Sequence, residues 1–309
     1  MRSHRHLVVL ALVTLVAAPA VPSAAQSPDN PWAGLPFLNI AHRGGASEGP
    51  EETLFTYAKA LEAGTDMLEA DLHATSDGEV IAMHDATVDR TTDGSGRVDS
   101  MTLAQIRTLD AGHDFRAPDG TFPYRGIATG AVPPPAGFTP DDFRVPTLRE
   151  LLTRFPDVPF TLEIKSGAPE TAPYHQTVAD ILRETGRARD VVVASFVDSH
   201  LEAFKLAAPD VSTATATGQT AAFWASIRGP LPGAPNPRYH ALQVPLNFAG
   251  IEVVDRGGEF VRKAHANGFV VHVWTVNDRP TMEWLLDIGV DGIMTDRPTL
   301  LAQVVRERA

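Results

Sequence analysis

The chain has 309 residues, 43% of them hydrophobic, which is enough for one large domain or two of ordinary size. Its formal net charge of −12 argues against a nucleic-acid-binding surface. It contains no cysteine, which excludes disulfides, thiolate metal ligands and a cysteine nucleophile.

The first 25 residues have the pattern of a secretory signal peptide. Arg2 and Arg5 precede an apolar run from Leu7 to Ala18, and Ser23-Ala24-Ala25 provides a small-x-small cleavage site. The apolar run is too short to span a bilayer comfortably, and an uncleaved anchor is the alternative. We therefore expect a bacterial protein that is exported to the periplasm or secreted, is cleaved after Ala25 and has no stable membrane anchor.

A strand, a helix and a strand hairpin are predicted early in the mature chain. The strand Phe37–His42 runs into Arg43-Gly44-Gly45, where glycine permits a tight turn and close approach to a ligand. Helical spacing predicts a helix over Thr53–Ala63. A short apolar strand follows at Leu68–Leu72, and Glu79–His84 is predicted to return as the second arm of a hairpin.

Helices and strands alternate in the rest of the chain around one irregular segment. Residues 111–144 are rich in Gly, Pro and Asp without a sustained period, and we predict an inserted loop or small cap before the third barrel strand. Helices are predicted at Thr102–Leu109, Thr147–Phe155, Pro173–Glu184, Ser199–Ala207, Gln219–Ile227, Gly258–Asn267, Arg279–Asp287 and Pro298–Arg306. Strands are predicted at Phe160–Lys165, Val191–Ser195, Val211–Ala216, Ala241–Pro245, Phe269–Thr275 and Gly292–Thr295.

Eight strands that alternate with helices predict a (β/α)8 TIM barrel with a hairpin after strand 2. The alternative is an open doubly wound sheet, which the absence of a G-x-G-x-x-G turn and of a Walker-type loop disfavours. In a barrel of this kind the active site lies at the carboxyl ends of the strands, so the residues at those ends are the first candidates.

Three carboxylates lie near the ends of the second and third strands. Glu69 and Asp71 are two residues apart, so their side chains share one face of the strand. Burying two unpaired carboxylates together is costly, and a hard divalent cation is the simplest partner. Acids at an exposed edge, or paired with Arg or Lys, are the alternative. With Glu163 of the third strand, the set offers three oxygen ligands for Mg²⁺ or Ca²⁺.

Two histidines and two cationic residues are predicted at the same mouth. His42 ends the first strand and His84 ends the hairpin, and imidazoles with a pKa near ~6.5 can act as base and acid at neutral pH. Arg43 and Lys165 are placed to hold an anion. This combination suits phosphoryl-ester chemistry, whereas the absence of H-E-x-x-H spacing disfavours a zinc hydrolase.

An ordered set of motifs also resembles a known family. The motifs are Ala41-His42-Arg43-Gly44-Gly45, Pro50-Glu51-Glu52-Thr53-Leu54, Leu68-Glu69-Ala70-Asp71-Leu72, Met83-His84-Asp85, Asp89-Arg90-Thr91-Thr92-Asp93-Gly94, Val145-Pro146-Thr147-Leu148, Leu162-Glu163-Ile164-Lys165, Val273-Trp274-Thr275-Val276-Asn277 and Gly292-Ile293-Met294-Thr295-Asp296-Arg297-Pro298. Together they resemble the glycerophosphodiester phosphodiesterase family from Ile40 to Pro298. The resemblance implies a single TIM-barrel domain over residues 26–309.

The resemblance implies hydrolysis of glycerophosphodiesters, as small-molecule substrates, to sn-glycerol 3-phosphate and an alcohol, with one divalent cation, Ca²⁺ or Mg²⁺. Its residue roles are an acid–base pair, His42 and His84; metal ligands, Glu69, Asp71 and Glu163; phosphate-binding residues, Arg43 and Lys165; and a pocket wall, Trp274. Glu51 matches the glutamate of the family's Pro-Glu-Asn-Thr motif and is a possible supporting residue. The asparagine of that motif is Glu52 here, and a carboxylate cannot donate hydrogen bonds as an amide does.

Two other functions remain open from the sequence. One is a phospholipase D-like phosphodiesterase that acts on lysophospholipids or sphingomyelin, for which residues 111–144 could form an apolar mouth. The other is a non-catalytic barrel that only binds phosphodiesters. The oligomeric state cannot be predicted.

Overall fold

A ring of eight parallel strands, surrounded by helices, is the framework of the computed structural model, which describes residues 30–165, 174–228 and 239–308. The predicted signal peptide lies outside these residues. The parallel strands are β1 Leu38–Ala41, β2 Met67–Ala74, β4 Phe160–Ile164, β5 Val191–Ala194, β6 Ser212–Thr213, β7 Ala241–Pro245, β10 Val270–Trp274 and β11 Gly292–Thr295. The predicted (β/α)8 barrel is confirmed.

Strand order around the ring is β6-β5-β4-β2-β1-β11-β10-β7. Between β6 and β7 the pairing narrows to one bridge, between Ala214 and Ala241. Two backbone hydrogen bonds support it, from the Thr215 N–H to the Ala241 oxygen and from the His240 N–H to the Thr213 oxygen, both at 2.9 Å. These contacts close the ring of strands.

The helices connect successive strands and cover the outside of the ring. They are α1 Leu54–Ala63, α2 Leu103–Ile106, α3 Leu148–Arg154, α4 Tyr174–Glu184, α5 Asp198–Ala207, α6 Thr217–Arg228, α7 Glu259–Ala266, α8 Arg279–Asp287 and α9 Pro298–Arg308. Local chemistry sets the bounds of α1: the Thr53 side chain accepts from the Thr56 N–H, and Gly64 ends the helix in a left-handed conformation with φ 97°. Nowhere in the described chain is a helix long and apolar enough to cross a membrane.

Apolar residues fill the two spaces that this architecture creates. The larger cluster lies between strands and helices and includes Leu68, Leu162 and Phe260. A smaller cluster that includes Ile40, Met67 and Val270 belongs to strands of the ring. Both are expected of a barrel whose interior is packed rather than open.

Residues 111–144 form an ordered cap against α1. Phe55 of α1 is buried among Tyr124, Phe138 and Phe143, with ring-centre distances of 4.5 to 4.9 Å. The buried Asp110 carboxylate accepts a hydrogen bond from the Gly126 N–H at 2.6 Å, which connects the start of this segment to its middle. The predicted insertion therefore has its own small aromatic core.

Two hairpins accompany the barrel, and the sequence predicts only the first. β3, Val80–Ala82, pairs antiparallel with the end of β2 as expected. β8, Asn247–Phe248, and β9, Ile251–Glu252, form a second hairpin after β7. Its two turn residues both have positive φ, 49° at Ala249 and 81° at Gly250. Such turns normally carry Asn or Gly at both positions, so Ala249 removes the sequence pattern from which a hairpin turn is predicted.

Candidate active site

A cavity of about 280 Å³, here called the barrel-mouth cavity, opens at the carboxyl ends of the barrel strands. It brings together the candidate residues from separate parts of the sequence, namely His42, Arg43, Glu69, Asp71, His84, Glu163, Lys165 and Trp274. Glu51 is the one candidate that does not line the cavity, and it lies behind Arg43.

The three carboxylates are adjacent because β2 and β4 pair in parallel with Asp71 opposite Glu163. Burial and the nearby Asp71 charge raise the pKa of Glu69 well above its usual value. The same two causes raise the pKa of Glu163 to about 7. Burial opposes ionisation of Asp71 too, but Lys165 and Arg43 together hold its pKa below the ordinary value. The cluster therefore carries more acid groups than its immediate cations neutralise.

Arg43 and Lys165 both contact the acids. The Arg43 Nε lies 3.1 Å from the Asp71 Oδ2, and the Lys165 Nζ lies 3.3 Å from the Asp71 Oδ1 and 3.2 Å from the Glu163 Oε1. The Arg43 backbone, in a left-handed conformation with φ 52°, also donates its N–H to the Glu69 Oε2 at 2.8 Å. The alternative to a metal site, in which the acids pair with Arg and Lys, is therefore observed in part.

The donor set nevertheless fits a hard divalent cation. Glu69, Asp71 and Glu163 present carboxylate oxygens from neighbouring strands, and the buried Asp71 Oδ2 accepts no hydrogen bond, its contact with the Arg43 Nε being an ion pair only. A cation would offset the repulsion that raises the pKa of Glu69 and Glu163. Within residues 30–165, 174–228 and 239–308, no group of three His, Cys, Asp or Glu side chains is already arranged to hold a metal ion.

His42 is oriented by an acid at the end of the last strand. Its Nδ1 lies 2.6 Å from the Asp296 Oδ1, and Asp296 in turn accepts from the Asn277 Nδ2 at 2.7 Å. The Asp296 N–H donates to the Asn277 Oδ1 at 2.8 Å, which fixes the two side chains together. Although burial opposes ionisation of Asp296, the hydrogen bond from His42 lowers its pKa. Because Nδ1 is engaged, Nε2 is the nitrogen left for proton transfer.

His84 is oriented in a similar way by the residue that follows it. Its Nδ1 lies 2.6 Å from the Asp85 Oδ1, and the Arg90 Nε donates to the Asp85 Oδ2 at 2.7 Å. Arg90 also binds both carboxylate oxygens of Glu51, which contacts Arg43 at 3.4 Å. Burial lowers the pKa of His84. A chain of ion pairs therefore connects His84 to Arg43.

Four of these orienting residues were missed as functional candidates from the sequence: Asp85, Arg90, Asn277 and Asp296. All four lie in the motifs quoted above. The His84-Asp85 adjacency and the acid directly after β11 were the available signals, because strand ends meet at one mouth.

Glu52 has a buried structural position beneath the acids. It is only 3% exposed, its Oε1 accepts from the Asp71 N–H at 2.9 Å, and the Tyr57 hydroxyl donates to its Oε2. Burial and the Asp71 charge raise the pKa of Glu52 well above its usual value. Both of these contacts use the side chain as an acceptor, so the carboxylate meets them without the donor that an asparagine would supply.

The side of the cavity opposite the acids is apolar. This apolar wall consists of Phe196, Trp224, Phe248, Ile251, Val253 and Trp274. The Phe196 and Trp274 rings meet edge to face, with centres 5.5 Å apart. No residue of the 111–144 cap lines the cavity, so the apolar surface comes from other segments than the one that the sequence suggested.

The chain is similar in sequence and fold to known proteins. Residues 42–300 match the glycerophosphoryl diester phosphodiesterase family. A glycerophosphodiester phosphodiesterase of Bacillus subtilis is 32% identical over 98% of this chain and 99% of its own length. One from Caldanaerobacter subterraneus is 31% identical over 87% and 98%. A phosphodiesterase of Oleispira antarctica, solved with the product sn-glycerol-3-phosphate, shares the fold with a TM-score of 0.65 at 21% identity, over 89% of this chain and 99% of its own.

Proposed function

Because this chain belongs to the glycerophosphoryl diester phosphodiesterase family, it hydrolyses glycerophosphodiesters, and we propose that His42 and His84 are its acid–base pair. The observation that carries the proposal is that each imidazole lines the barrel-mouth cavity with its Nδ1 held by an aspartate. One imidazole takes the proton of the attacking hydroxyl, and the other gives a proton to the leaving alkoxide.

The phosphate of the substrate binds at Arg43 and Lys165. Both side chains line the same cavity as the two histidines, and both contact Asp71. Arg43 offers a planar fork for two phosphate oxygens, and Lys165 a compact charge. On substrate binding these cations exchange part of their contact with Asp71 for contact with phosphate. The reaction yields sn-glycerol 3-phosphate and an alcohol.

A divalent cation completes the site. The family generally depends on a divalent metal ion, and Glu69, Asp71 and Glu163 are the residues that would hold it here. When bound, Ca²⁺ or Mg²⁺ supplies positive charge that stabilises the phosphoryl oxygens in the transition state. With the acids holding a cation, the Arg43 and Lys165 side chains would be available for the phosphate.

The reaction is tested with glycerophosphocholine as substrate and chelator-stripped protein. We expect release of sn-glycerol 3-phosphate to stop after stripping and to return on addition of Ca²⁺ or Mg²⁺. His42→Ala and His84→Ala should each lower kcat by roughly 10²–10⁴-fold. Turnover that survives both substitutions would overturn the assignment of the histidines, and a protein that binds but never cleaves the substrate would be a binding barrel.

We also propose that residues 1–25 direct export and that residues 26–309 form the mature domain in the periplasm or outside the cell. The charged start, the short apolar run and the small-x-small site support this. N-terminal sequencing of the protein from the bacterial culture tests it, with Gln26 expected as the first residue. A product that still begins at Met1 would indicate that the segment is retained.

A further inference from the structure

Arg90 binds two carboxylates that lie directly behind residues of the site. Its Nη1 and Nη2 donate to the two oxygens of Glu51, at 2.9 and 2.6 Å, and its Nε donates to the Asp85 Oδ2 at 2.7 Å. Glu51 in turn contacts Arg43, and Asp85 contacts His84. Arg90, Glu51 and Asp85 do not line the barrel-mouth cavity, so Arg90 can affect the reaction only through its two partners.

The Glu51 carboxylate is shared unequally between two arginines. Both of its oxygens accept from Arg90, whereas the Arg43 Nη1 lies 3.4 Å from the Oε1, at the outer limit for a hydrogen bond. The fork of an arginine binds a carboxylate most strongly when both oxygens are engaged. The bidentate pair with Arg90 therefore leaves the Arg43 guanidinium only weakly bound to Glu51.

Without Arg90, the Glu51 carboxylate would pair more closely with Arg43. Its backbone is fixed beside Arg43, because the next residue, Glu52, donates its N–H to the Arg43 carbonyl at 3.1 Å. The Glu51 side chain is 13% exposed, so water can replace little of the lost ion pair. A guanidinium nitrogen that is bound to Glu51 is no longer available to a phosphate oxygen.

The loop that carries Arg90 is closed at its base. The Val88 N–H donates to the Gly96 carbonyl and the Val98 N–H donates to the Ala86 carbonyl, both at 3.0 Å. The Val88 side chain is fully buried. Arg90 is therefore presented from a fixed backbone, which lowers the entropic cost of binding two carboxylates at once.

An ordinary surface ion pair is the alternative interpretation of Arg90, since such pairs usually contribute little. The Arg90 side chain is 47% exposed, but those of its partners Glu51 and Asp85 are only 13% and 30% exposed. Although burial opposes ionisation of Asp85, the hydrogen bond from Arg90 lowers the pKa of this carboxyl to about 2. Arg97 of the same loop is similarly exposed, at 42%, but pairs with Asp99 away from the cavity.

We propose that Arg90 is a positioning residue: it engages the Glu51 carboxylate and so keeps the Arg43 guanidinium available for the substrate phosphate. The same side chain anchors Asp85, which orients His84. One residue outside the cavity thus supports phosphate binding through one partner and proton transfer through the other. The proposal rests on the proposed function and adds a residue that acts on both parts of that site.

Binding of sn-glycerol 3-phosphate, measured by titration calorimetry with Ca²⁺ or Mg²⁺ present, tests the first role without turnover. Arg90→Gln should raise the Kd about tenfold, because Glu51 then withdraws Arg43 from the phosphate. Glu51→Gln should bind at least as tightly as the unaltered enzyme. In the double variant Arg90→Gln/Glu51→Gln, the Kd should return to within about twofold of that of Glu51→Gln. A tenfold weakening that persists in the double variant would overturn the proposal.

A second double variant separates the contact from long-range charge. Loss of Arg90 removes a positive charge, which by itself weakens the binding of an anion. Asp89 is the exposed neighbour of Arg90, and it accepts from the Gly96 N–H at 3.0 Å, as an asparagine can also do. Arg90→Gln/Asp89→Asn has the same net charge as Arg90→Gln/Glu51→Gln but should keep the weak binding of Arg90→Gln. Equal recovery in both double variants would show that net charge alone matters, and the proposal would be wrong.

Steady-state kinetics with glycerophosphocholine test the second role. Arg90→Gln should raise KM about tenfold and lower kcat about five- to tenfold, because the aspartate that orients His84 is then held less firmly. Addition of Glu51→Gln should restore KM but not kcat, since the contact of Arg90 with Asp85 is still absent. This recovery of KM alone would also exclude misfolding as the cause. Restoration of both parameters together would contradict the role assigned to Asp85.

Arg97→Gln is the matched control, because it removes an arginine of the same loop with similar exposure. It should change neither KM nor kcat. If the unaltered enzyme cleaves glycerophosphocholine and Arg90→Gln behaves like Arg97→Gln, the inference fails and the proposed function stands. If the unaltered enzyme neither cleaves glycerophosphocholine nor binds sn-glycerol 3-phosphate with either cation, the proposed function fails and the inference falls with it.

Discussion

His42 and His84 are held alike at Nδ1 but lie in different charge environments. Asp296, the partner of His42, is supported by the neutral side chain of Asn277. The partner of His84, Asp85, is instead tied into ion pairs through Arg90. An aspartate on Nδ1 selects one tautomer and stabilises the charged imidazolium. For the proposed acid–base roles, we therefore expect each aspartate to affect the rate of proton transfer more than substrate binding.

Asp296→Asn tests this role at the level of one residue. The amide keeps the size of the side chain but no longer provides a charged acceptor for the His42 N–H. We expect kcat to fall by about 10²-fold or more while KM changes little. Steady-state kinetics with glycerophosphocholine measure kcat and KM separately. Asp278→Asn is the control, since Asp278 caps α8 through the Thr281 N–H and asparagine caps equally well. An unchanged kcat in Asp296→Asn would show that Asp296 has only a structural role.

The candidate residues at the strand ends could be predicted because the position of a residue along a strand determines two things. It sets the side of the sheet on which the side chain lies and the end of the barrel at which the residue is found. Glu69, Asp71 and Glu163 meet at the mouth for that reason, as the pairing of Asp71 with Glu163 shows. The orienting contacts could not be predicted, because they depend on side-chain reach across the fold. Arg90 binds Glu51, 39 residues away, and no local pattern encodes that distance.

Secondary-structure elements with strong sequence signals were predicted correctly, whereas short elements with weak signals were not predicted. The bounds of β7, β11 and α8 agree with the predicted ones because apolar runs, turns and caps mark both ends. β6 shrinks to two residues where the barrel pairing is reduced to a single bridge. The β8–β9 hairpin was missed because two-residue strands carry no measurable alternation, and Ala249 occupies a turn position that usually takes asparagine or glycine.

Gly250→Ala tests whether the shape of the β8–β9 hairpin, which supplies Phe248 and Ile251 to the cavity lining, matters for turnover. Gly250 has φ 81° with open space around a new Cβ, so the change adds backbone strain and no clash. Left-handed backbone costs a non-glycine residue about 1–2 kcal/mol, which should appear as hairpin opening. Because the hairpin lines the cavity, we expect kcat/KM for glycerophosphocholine to fall several-fold.

Gly130→Ala is the matched control for the hairpin experiment. Gly130 has φ 79°, is equally free of neighbours and lies in the 111–144 cap, away from the cavity lining. Denaturant unfolding should show a similar loss of stability in both variants, while only Gly250→Ala lowers turnover of glycerophosphocholine. An equal fall in turnover for the two would point to general destabilisation rather than to the hairpin.

For the whole molecule, the barrel brings acidic side chains from separate strands to one mouth, where they outnumber the neighbouring Arg and Lys side chains. Glu52, Glu69, Asp71 and Glu163 lie within one cluster, against Arg43 and Lys165. Folding forces these charges together, whereas the unfolded chain keeps them apart in water. The raised pKa values of Glu69 and Glu163 are the sign that their ionised forms are destabilised by the fold.

A divalent cation should therefore stabilise the folded barrel as well as support turnover. Because the cation binds the folded chain and not the unfolded one, a concentration 100 times its Kd should add about 2.7 kcal/mol to the free energy of unfolding. Thermal unfolding of chelator-stripped protein, with and without Ca²⁺ or Mg²⁺, measures this gain as a rise in Tm.

Glu163→Gln should abolish most of the rise in Tm, because it removes a charged ligand while keeping the size of the side chain. Glu150→Gln, on α3 away from the mouth, should retain it. A cation effect of equal size in both variants would show that the ion binds elsewhere, and that the mouth carboxylates are neutralised by Arg43 and Lys165 alone.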